Sequence, residues 1–300
     1  MALCVYGVGR SCAFRTVLAL VAEAGLLRFD PGPGAAAIIK VDGRKDDWTF
    51  NGINPVWTDG GGRYVTSDEG CLYVRLDSGH IKDQTTTYIA FDTIPNQGQS
   101  RLPELPGVRT AGVDFALVIR GKESARLLID SYYDTFYYHY GHQLQMMPAT
   151  PYANRKDNGV YHPIRLTLNK KLEETRGKAV PFDSYETGVL RFGTANPADA
   201  VYDSLADISV SRSGNGYEIR LPWALLNVTD PSRREVMGDI WSKDGLKSRR
   251  IVSGIRLGLY ITDGADSFAF PAMNRNMRCH QGGFTSTRGR RGRRRAIMSG

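Results

Sequence analysis

The sequence predicts an all-β protein, an antiparallel β-sandwich with irregular extensions at its N- and C-terminal ends. Short runs with a period of two recur from Val41 onward, and the clearest span residues 72–77, 217–222 and 255–260. Alternation of apolar and polar residues is typical of strands with one buried face. Turn-forming residues separate these runs, and no long helical pattern lies between them. Many short strands joined by tight turns favour a sandwich over an α/β fold.

Six further runs are predicted to be strands, and their connections contain hairpin residues. The strands are residues 88–91, 115–120, 126–130, 189–192, 208–212 and 268–270. Glycine, asparagine or aspartate in the connecting segments tolerates the positive φ of tight turns, at residues 68–70, 121–124, 213–216 and 263–264. Only residues 223–227 have a helical pattern, which Asp230 and Pro231 end. The alternation places the following residues in the core: Leu72, Val74, Leu117, Ile119, Ile219 and Ile255.

The positive charge of the chain is concentrated at its C-terminal end. The formal net charge is +8, and residues 273–300 contain eight arginines and no acidic residue. The rest of the chain therefore has no net charge and no general electrostatic attraction for nucleic acid. The Arg/Gly-rich tail, by contrast, has the composition to contact the phosphates of RNA or anionic lipid. We predict that this tail is disordered.

Residues 1–35 form an N-terminal extension that has two interpretations. Arg10 and Arg15 precede an apolar run at residues 16–22, and the small residues around Glu23 resemble a cleavage site, so the segment is similar to a weak secretory signal peptide. The alternative is a short amphipathic helix. No apolar run approaches the roughly 18 residues that a membrane-spanning helix needs. We therefore predict a protein that does not span a membrane, with its folded body at residues 36–272.

Several segments of the body resemble one known family. Residues 41–48 (VDGRKDDW) are similar to the opening I-D-G-x-x-x-D-W of the carbohydrate-binding modules related to family nine and of the dopamine β-monooxygenase N-terminal (DOMON) domains. Residues 67–74 (SDEGCLYV) resemble the strand that follows in those modules, and residues 217–223 (YEIRLPW) resemble their E-x-x-I-P-W ending. Other segments are similar to an uncharacterised bacterial subgroup that is often fused to glycosyltransferases or membrane proteins: residues 88–93, 112–115 and 203–207.

The resemblance implies both a fold and a function. The implied fold is a sandwich of about ten strands, layered like an immunoglobulin domain or a jelly roll. The implied function is non-catalytic recognition of an oligosaccharide or cell-surface glycan by an extracytoplasmic accessory module, with a membrane-associated or glycosyltransferase partner. Two alternatives stay open. Part of a glycan-processing enzyme would need two carboxylates at a defined separation, and a protein-interaction module would need a large exposed apolar patch.

Residues 131–142 contain the candidate ligand surface. Five tyrosines and one phenylalanine fall within nine residues of this segment. As a strand, the segment would direct Tyr133, Tyr137 and His139 to one face. Exposed tyrosines suit stacking against the C–H face of a sugar ring. Trp57, in a glycine-flanked loop, is the second candidate, and a loop that covers the tyrosine face is the competing interpretation.

No cofactor is predicted and no catalytic residue is assigned. His139 and His142 stand three residues apart, near Met146 and Met147, which invites comparison with the Met/His haem ligation of some DOMON domains. An odd offset on a strand directs the two rings to opposite faces, and this argues against haem. The four cysteines have none of the zinc spacings. Calcium is left open, and the metal ligands are unknown.

The remaining motif residues are predicted to be structural. Trp48 and Trp223 are expected to fill the core at strand ends, because aromatic side chains dominate core burial. Asp42 and Asp92 are expected to cap turns rather than to bind metal. Cys71 alternates with strand residues and is expected to be a small buried apolar side chain.

Overall fold

The structure, a computed structural model, describes residues 39–56, 58, 61–110, 112–136, 141, 156–169, 172–173, 179–180, 183–263 and 267–270. Its elements are, in chain order, α1 (Asp46–Phe50), β1 (Arg63–Ser67), β2 (Cys71–Asp77), β3 (Thr86–Asp92), β4 (Arg101–Leu102), β5 (Leu105–Arg109), β6 (Phe115–Arg120), β7 (Ser124–Asp130), β8 (Tyr161–Pro163), β9 (Arg165–Asn169), β10 (Leu172–Glu173), β11 (Ala179–Val180), β12 (Asp183–Glu186), β13 (Val189–Leu190), β14 (Ile208–Val210), β15 (Gly216–Pro222), β16 (Val228–Asp230), β17 (Glu235–Met237), β18 (Arg249–Ile251), β19 (Arg256–Thr262) and β20 (Ser267–Phe270). Two 3₁₀ turns complete them, at Trp223–Leu226 and Gly245–Lys247.

Two antiparallel sheets form the body. One has four strands in the order β1-β2-β15-β14, and the other has seven, in the order β13-β7-β6-β3-β19-β20 with β8 paired to β7. The pairings within both sheets are antiparallel. The remaining strands form smaller sheets: β16-β17-β18, β9 with β12, β4 with β5, and β10 with β11. The prediction of an all-β, sandwich-like fold is confirmed.

The main hydrophobic core of the described residues lies between the two main sheets. It includes every residue that the alternation placed there: Leu72, Val74, Leu117, Ile119, Ile219 and Ile255. Trp48 and Trp223 are both buried, as expected. The helical pattern after β15 is a 3₁₀ turn, which ends where Asn227 adopts a left-handed conformation. The four predicted hairpin connections join β1 to β2, β6 to β7, β14 to β15 and β19 to β20.

Both main sheets also have covered outer faces, which the alternation did not predict. Residues of β2 are buried on both sides. The outer face of the four-stranded sheet packs under the segment that precedes β1, through Ile39, Val41, Trp48, Tyr64 and Tyr73. The outer face of the seven-stranded sheet packs under the β4–β5 hairpin, through a cluster with these buried members: Tyr88, Ala90, Leu102, Val113, Ala116 and Val118. Polar residues on these faces are therefore not automatically exposed.

The predicted extensions lie largely outside the described residues. Residues 1–38 and 271–300, which contain the N-terminal extension and the Arg/Gly-rich tail, are not described. Within the described part of the chain, no helix combines the length and the apolar character needed to cross a membrane.

Candidate functional site

One buried carboxylate connects the two sequence segments that carry the family resemblance. Glu218 lies on the outer face of β15 and is fully buried. Its Oε2 accepts hydrogen bonds from the backbone N–H groups of Asp42, at 2.9 Å, and Gly43, at 2.8 Å. Its Oε1 accepts a hydrogen bond from the indole Nε1 of Trp48. Burial raises the pKa of Glu218 to about 7, and the three donors oppose that rise.

The turn before α1 is shaped by its own sequence as well as by Glu218. Gly43 has a φ of +75°, and a side chain there would clash with the carbonyl oxygen of Val210. Asp42 caps the turn as predicted, because its Oδ1 accepts a hydrogen bond from the backbone N–H of Arg44 at 2.8 Å. Its Oδ2 accepts another from Asn196 at 2.7 Å. The turn therefore holds Arg44 and the residues after it in a fixed position against the sheet.

A surface depression of about 520 Å³ lies between this turn and the β14–β15 hairpin. We call it the motif-side depression. Six ionisable side chains line it, together with Ser213 of the hairpin: Arg44, Lys45, Asp46, Arg75, Asp77 and Arg212. The backbone N–H of Arg212 donates to the carbonyl of Gly43 at 3.1 Å, so the hairpin and the turn are joined directly.

Ion pairs hold several of these side chains in place. Arg75, whose side chain is only 5% exposed, makes a two-pronged contact with Asp77 at 3.1 and 3.0 Å, and its Nη1 donates to the carbonyl of Arg44. Arg44 Nη2 donates to Asp199 Oδ1 at 2.7 Å. A bidentate pair between a guanidinium and a carboxylate fixes both planes. The floor of the depression is therefore preorganised, and preorganised polar groups lower the cost of binding a ligand.

Tyr133 does not present a ligand surface, which corrects the prediction from the tyrosine-rich segment. Its side chain is fully buried against Phe115, with ring centroids 5.8 Å apart, and its hydroxyl donates to the carbonyl of Met237. Burial raises the pKa of Tyr133 well above its usual value. The alternation fails because the strand ends at Asp130. The N–H of Tyr133 donates to the carbonyl of Asp130, and the chain turns there into the core.

The other three predicted ligand residues lie outside the described part of the chain: Tyr137, His139 and Trp57. Tyr133, the one candidate that the structure describes, does not line the motif-side depression. None of the residues that line it is predicted from the sequence to bind a ligand. The one signal available was the basic pair Arg44-Lys45 inside the family motif.

We expect Tyr133→Phe to lower the free energy of unfolding by about 1 kcal/mol, because a buried carbonyl loses its hydrogen bond while the ring still packs. Urea denaturation would measure the change, with Tyr185→Phe as the matched control. Tyr185 is 61% exposed, so the control should leave stability unchanged. Equal stability of Tyr133→Phe and the wild-type protein would contradict the buried position of this residue.

A second buried polar cluster lies against the segment that joins β3 to β4, and it corrects the prediction for Asp92. Asp92 stands opposite Arg256 in the sheet and is paired with it, so it does not cap a turn. Asp114 is the turn cap instead, since its Oδ2 accepts hydrogen bonds from the backbone N–H groups of Thr93 and Ile94. We refer to Asp92, Asp114 and Asp130 as the aspartate row.

The aspartate row runs across three adjacent strands, and the pKa of each of its three carboxyl groups is raised. Asp114 N–H donates to the carbonyl of Phe91, and Asp130 N–H donates to the carbonyl of Asp114, so the three residues are neighbours. Burial raises the pKa of Asp92 to about 8, of Asp130 to about 7 and of Asp114 to about 6. The charge of Asp114 adds to the rise at both of its neighbours.

No group of three or more His, Cys, Asp or Glu side chains in the described part of the chain is arranged to hold a metal ion. His139, His142, Met146 and Met147, which bear on the argument about haem, lie outside it. Cys71 is a half-buried free cysteine that packs against the cluster around Trp48.

Comparison with known proteins gives no match to this chain, whether among family models, curated proteins or solved structures.

Proposed function

We propose that this protein is a non-catalytic carbohydrate-binding module whose ligand site is the motif-side depression. The observation that carries the proposal is the preorganised polar lining described above, built on the segment that resembles the opening of family-nine-type and DOMON-like modules. Adjacent sugar hydroxyls both donate and accept hydrogen bonds, so guanidinium, carboxylate and hydroxyl groups at fixed positions are suitable partners for them.

The volume of the depression fits this assignment. At about 520 Å³ it lies within the range of small-molecule sites, roughly 300–1,000 Å³. It is shallow and widely open to solvent, and it lies between the turn at Gly43 and the β14–β15 hairpin. An open depression admits one or two rings of a longer chain, as an accessory module that binds a cell-surface glycan requires.

The distribution of carboxylates supports binding rather than catalysis. Among the described residues, the carboxyl groups whose pKa rises to 6 or above are Asp92, Asp114, Asp130 and Glu218, and all four are buried. General acid catalysis of glycoside hydrolysis needs such a group in contact with the substrate. At the motif-side depression, Asp77 is committed to its two contacts with Arg75. Asp46 alone cannot supply a pair of catalytic carboxylates.

The double variant Asp46→Ala/Ser213→Leu should reduce glycan binding by about tenfold or more, because it removes two hydrogen-bonding groups and adds apolar bulk to the depression. A glycan array would first identify a ligand for the full chain, and titration calorimetry would then compare the variants. Asp46 and Ser213 are both exposed, so the melting temperature should not change.

The matched control is Glu123→Ala/Ser124→Leu, which makes the same two kinds of change at exposed positions of the β6–β7 hairpin. It should bind the glycan like the wild-type protein. Equal loss in both double variants, or no loss in either, would place the site elsewhere. A wild-type protein that binds no glycan on the array would refute the function itself.

A further inference from the structure

Two exposed basic side chains stand at the rim of the motif-side depression. The lining contains four basic residues and two acidic ones. Arg75 is paired with Asp77, and Arg44 lies between Asp199 Oδ1, at 2.7 Å, and Asp42 Oδ2, at 3.8 Å. Three further charged side chains stand at the rim: Lys45, Arg212 and Asp46.

Arg212 is the less satisfied of two guanidinium groups that share one carboxylate. Its Nη2 is 3.9 Å from Asp199 Oδ1, the same oxygen that Arg44 approaches to 2.7 Å. The side chain of Arg212 is 63% exposed. Arg44 makes the short contact with this oxygen, so the guanidinium group of Arg212 stays exposed, with N–H donors available to a ligand.

Lys45 supplies the second positive group. Its Nζ lies 4.7 Å from the centre of the Tyr64 ring, a cation–π contact that positions the ammonium without neutralising it. Within the described residues, no carboxylate lies within 4 Å of this ammonium. The adjacent Asp46 is exposed and offsets only one of the two charges. Lys45 and Arg212 are therefore the two exposed cations at the rim that can contact an anionic group of a ligand.

We propose that the ligand of the motif-side depression is an acidic carbohydrate, whose carboxylate or sulfate group is bound by Lys45 and Arg212. This inference rests on the proposed function and specifies its ligand class. Charge-assisted hydrogen bonds to a carboxylate are stronger than those to a neutral hydroxyl, so the acidic group would provide much of the selectivity. Uronic acids and sulfated sugars share this chemistry and differ in the geometry of the anion.

A polysaccharide fits the depression better than a nucleic acid does. Proteins that bind single-stranded nucleic acid combine a basic groove with aromatic side chains on which the bases stack. Among the described residues, those that line the motif-side depression include no aromatic side chain, and the nearby rings of Trp48 and Tyr64 are buried. Hydroxyl-rich rings need no stacking partner when guanidinium and carboxylate groups contact their edges.

The test compares three tetrasaccharides by titration calorimetry with the full chain: a galacturonic acid oligomer, the neutral galactose oligomer of the same linkage, and a sulfated galactose oligomer. At least one acidic oligomer should bind about tenfold more tightly than the neutral one. The double variant Lys45→Gln/Arg212→Gln should lose this preference. The control Lys247→Gln/Arg250→Gln, which removes the same charges at other exposed positions, should keep it. The Arg-rich tail is present in every variant, so its contribution cancels between them.

The outcomes separate this inference from the proposed function. Equal binding of neutral and acidic oligomers, with sensitivity to Asp46→Ala/Ser213→Leu, would overturn the acidic ligand and keep the carbohydrate site. An acid preference that persists in Lys45→Gln/Arg212→Gln would assign it to another surface, such as the tail, and would also overturn the inference. Tighter binding of a single-stranded DNA octamer through Lys45 and Arg212 would replace the carbohydrate with a nucleic acid. Failure of every glycan on the array would refute both proposals.

Discussion

Glu218→Ala should lower the free energy of unfolding by about 3 kcal/mol, because three donors lose their acceptor in the interior. These are the backbone N–H groups of Asp42 and Gly43 and the indole N–H of Trp48. Each buried donor without a partner costs about 1–3 kcal/mol, and loss of the buried carboxylate offsets part of the sum. Urea denaturation, read from the midpoint and the slope, would measure the change.

A local readout distinguishes this effect from a general loss of packing. Glu218 attaches the segment at residues 39–50 to the four-stranded sheet, so the variant should expose that segment to limited proteolysis before the rest of the body unfolds. Glu218→Gln should lie between the wild-type protein and Glu218→Ala, since one oxygen still accepts a hydrogen bond while the amide N–H group faces a donor. The control is Glu69→Ala, at an exposed position of the β1–β2 turn, and it should leave the free energy of unfolding unchanged. A loss below about 1 kcal/mol in Glu218→Ala would contradict the proposed role of this carboxylate.

The contact between the two motif segments shows what the sequence could and could not predict. Period-two alternation identified the inward residues of β15, such as Ile219, because the pattern depends only on neighbours along the strand. The same pattern assigned Glu218 to a solvent-facing side. It is buried instead because a segment about 170 residues earlier covers that face. Alternation specifies the direction of a side chain, and only the tertiary structure specifies what it meets.

The error at Tyr133 has a related physical cause. The predicted strand ended at Asp130, but the ligand-surface hypothesis treated the tyrosine-rich segment after it as a further strand, since aromatic residues favour strands. Asp130 ends the strand by accepting a hydrogen bond from the backbone N–H of Tyr132, a local turn contact that competes with the sheet. The motif-side depression could not be predicted from the sequence, for a different reason. Its central ion pair joins Arg44 and Asp199, which are 155 residues apart, and nothing in either local sequence indicates the other.

Raising the pH from about 5 to about 9 should destabilise the protein, and the aspartate row should account for much of the loss. The folded-state pKa values of Asp92, Asp130 and Asp114 are about 8, 7 and 6, above the roughly 3.9 of an aspartate in an unfolded chain. At pH values between the unfolded-state pKa and the folded-state pKa of these groups, the folded state binds more protons than the unfolded state. Linkage then requires the free energy of unfolding to fall as pH rises through this window.

The geometry of the row explains why ionisation is unfavourable there. Each of the three carboxyl groups has one oxygen that lacks a hydrogen-bond partner among the described residues: Asp92 Oδ1, Asp114 Oδ1 and Asp130 Oδ2. A protonated carboxyl group can donate to a neighbouring carboxylate, whereas ionised neighbours repel each other in the interior. Arg256 contacts only Asp92 within the row, so a single cation faces three acids. The row therefore retains protons when the chain folds.

Asp92→Asn should make the protein less sensitive to alkaline pH, because asparagine reproduces the shape of the protonated acid without an ionisable group. The asparagine oxygen can still accept the hydrogen bond from Arg256. Urea midpoints measured at pH 5, 7 and 9 should fall less steeply for Asp92→Asn than for the wild-type protein, with the largest gain in stability at pH 9. Asp244→Asn, at an exposed position, should leave the slope unchanged. Parallel pH profiles for Asp92→Asn and the wild-type protein would show that Asp92 does not retain its proton on folding.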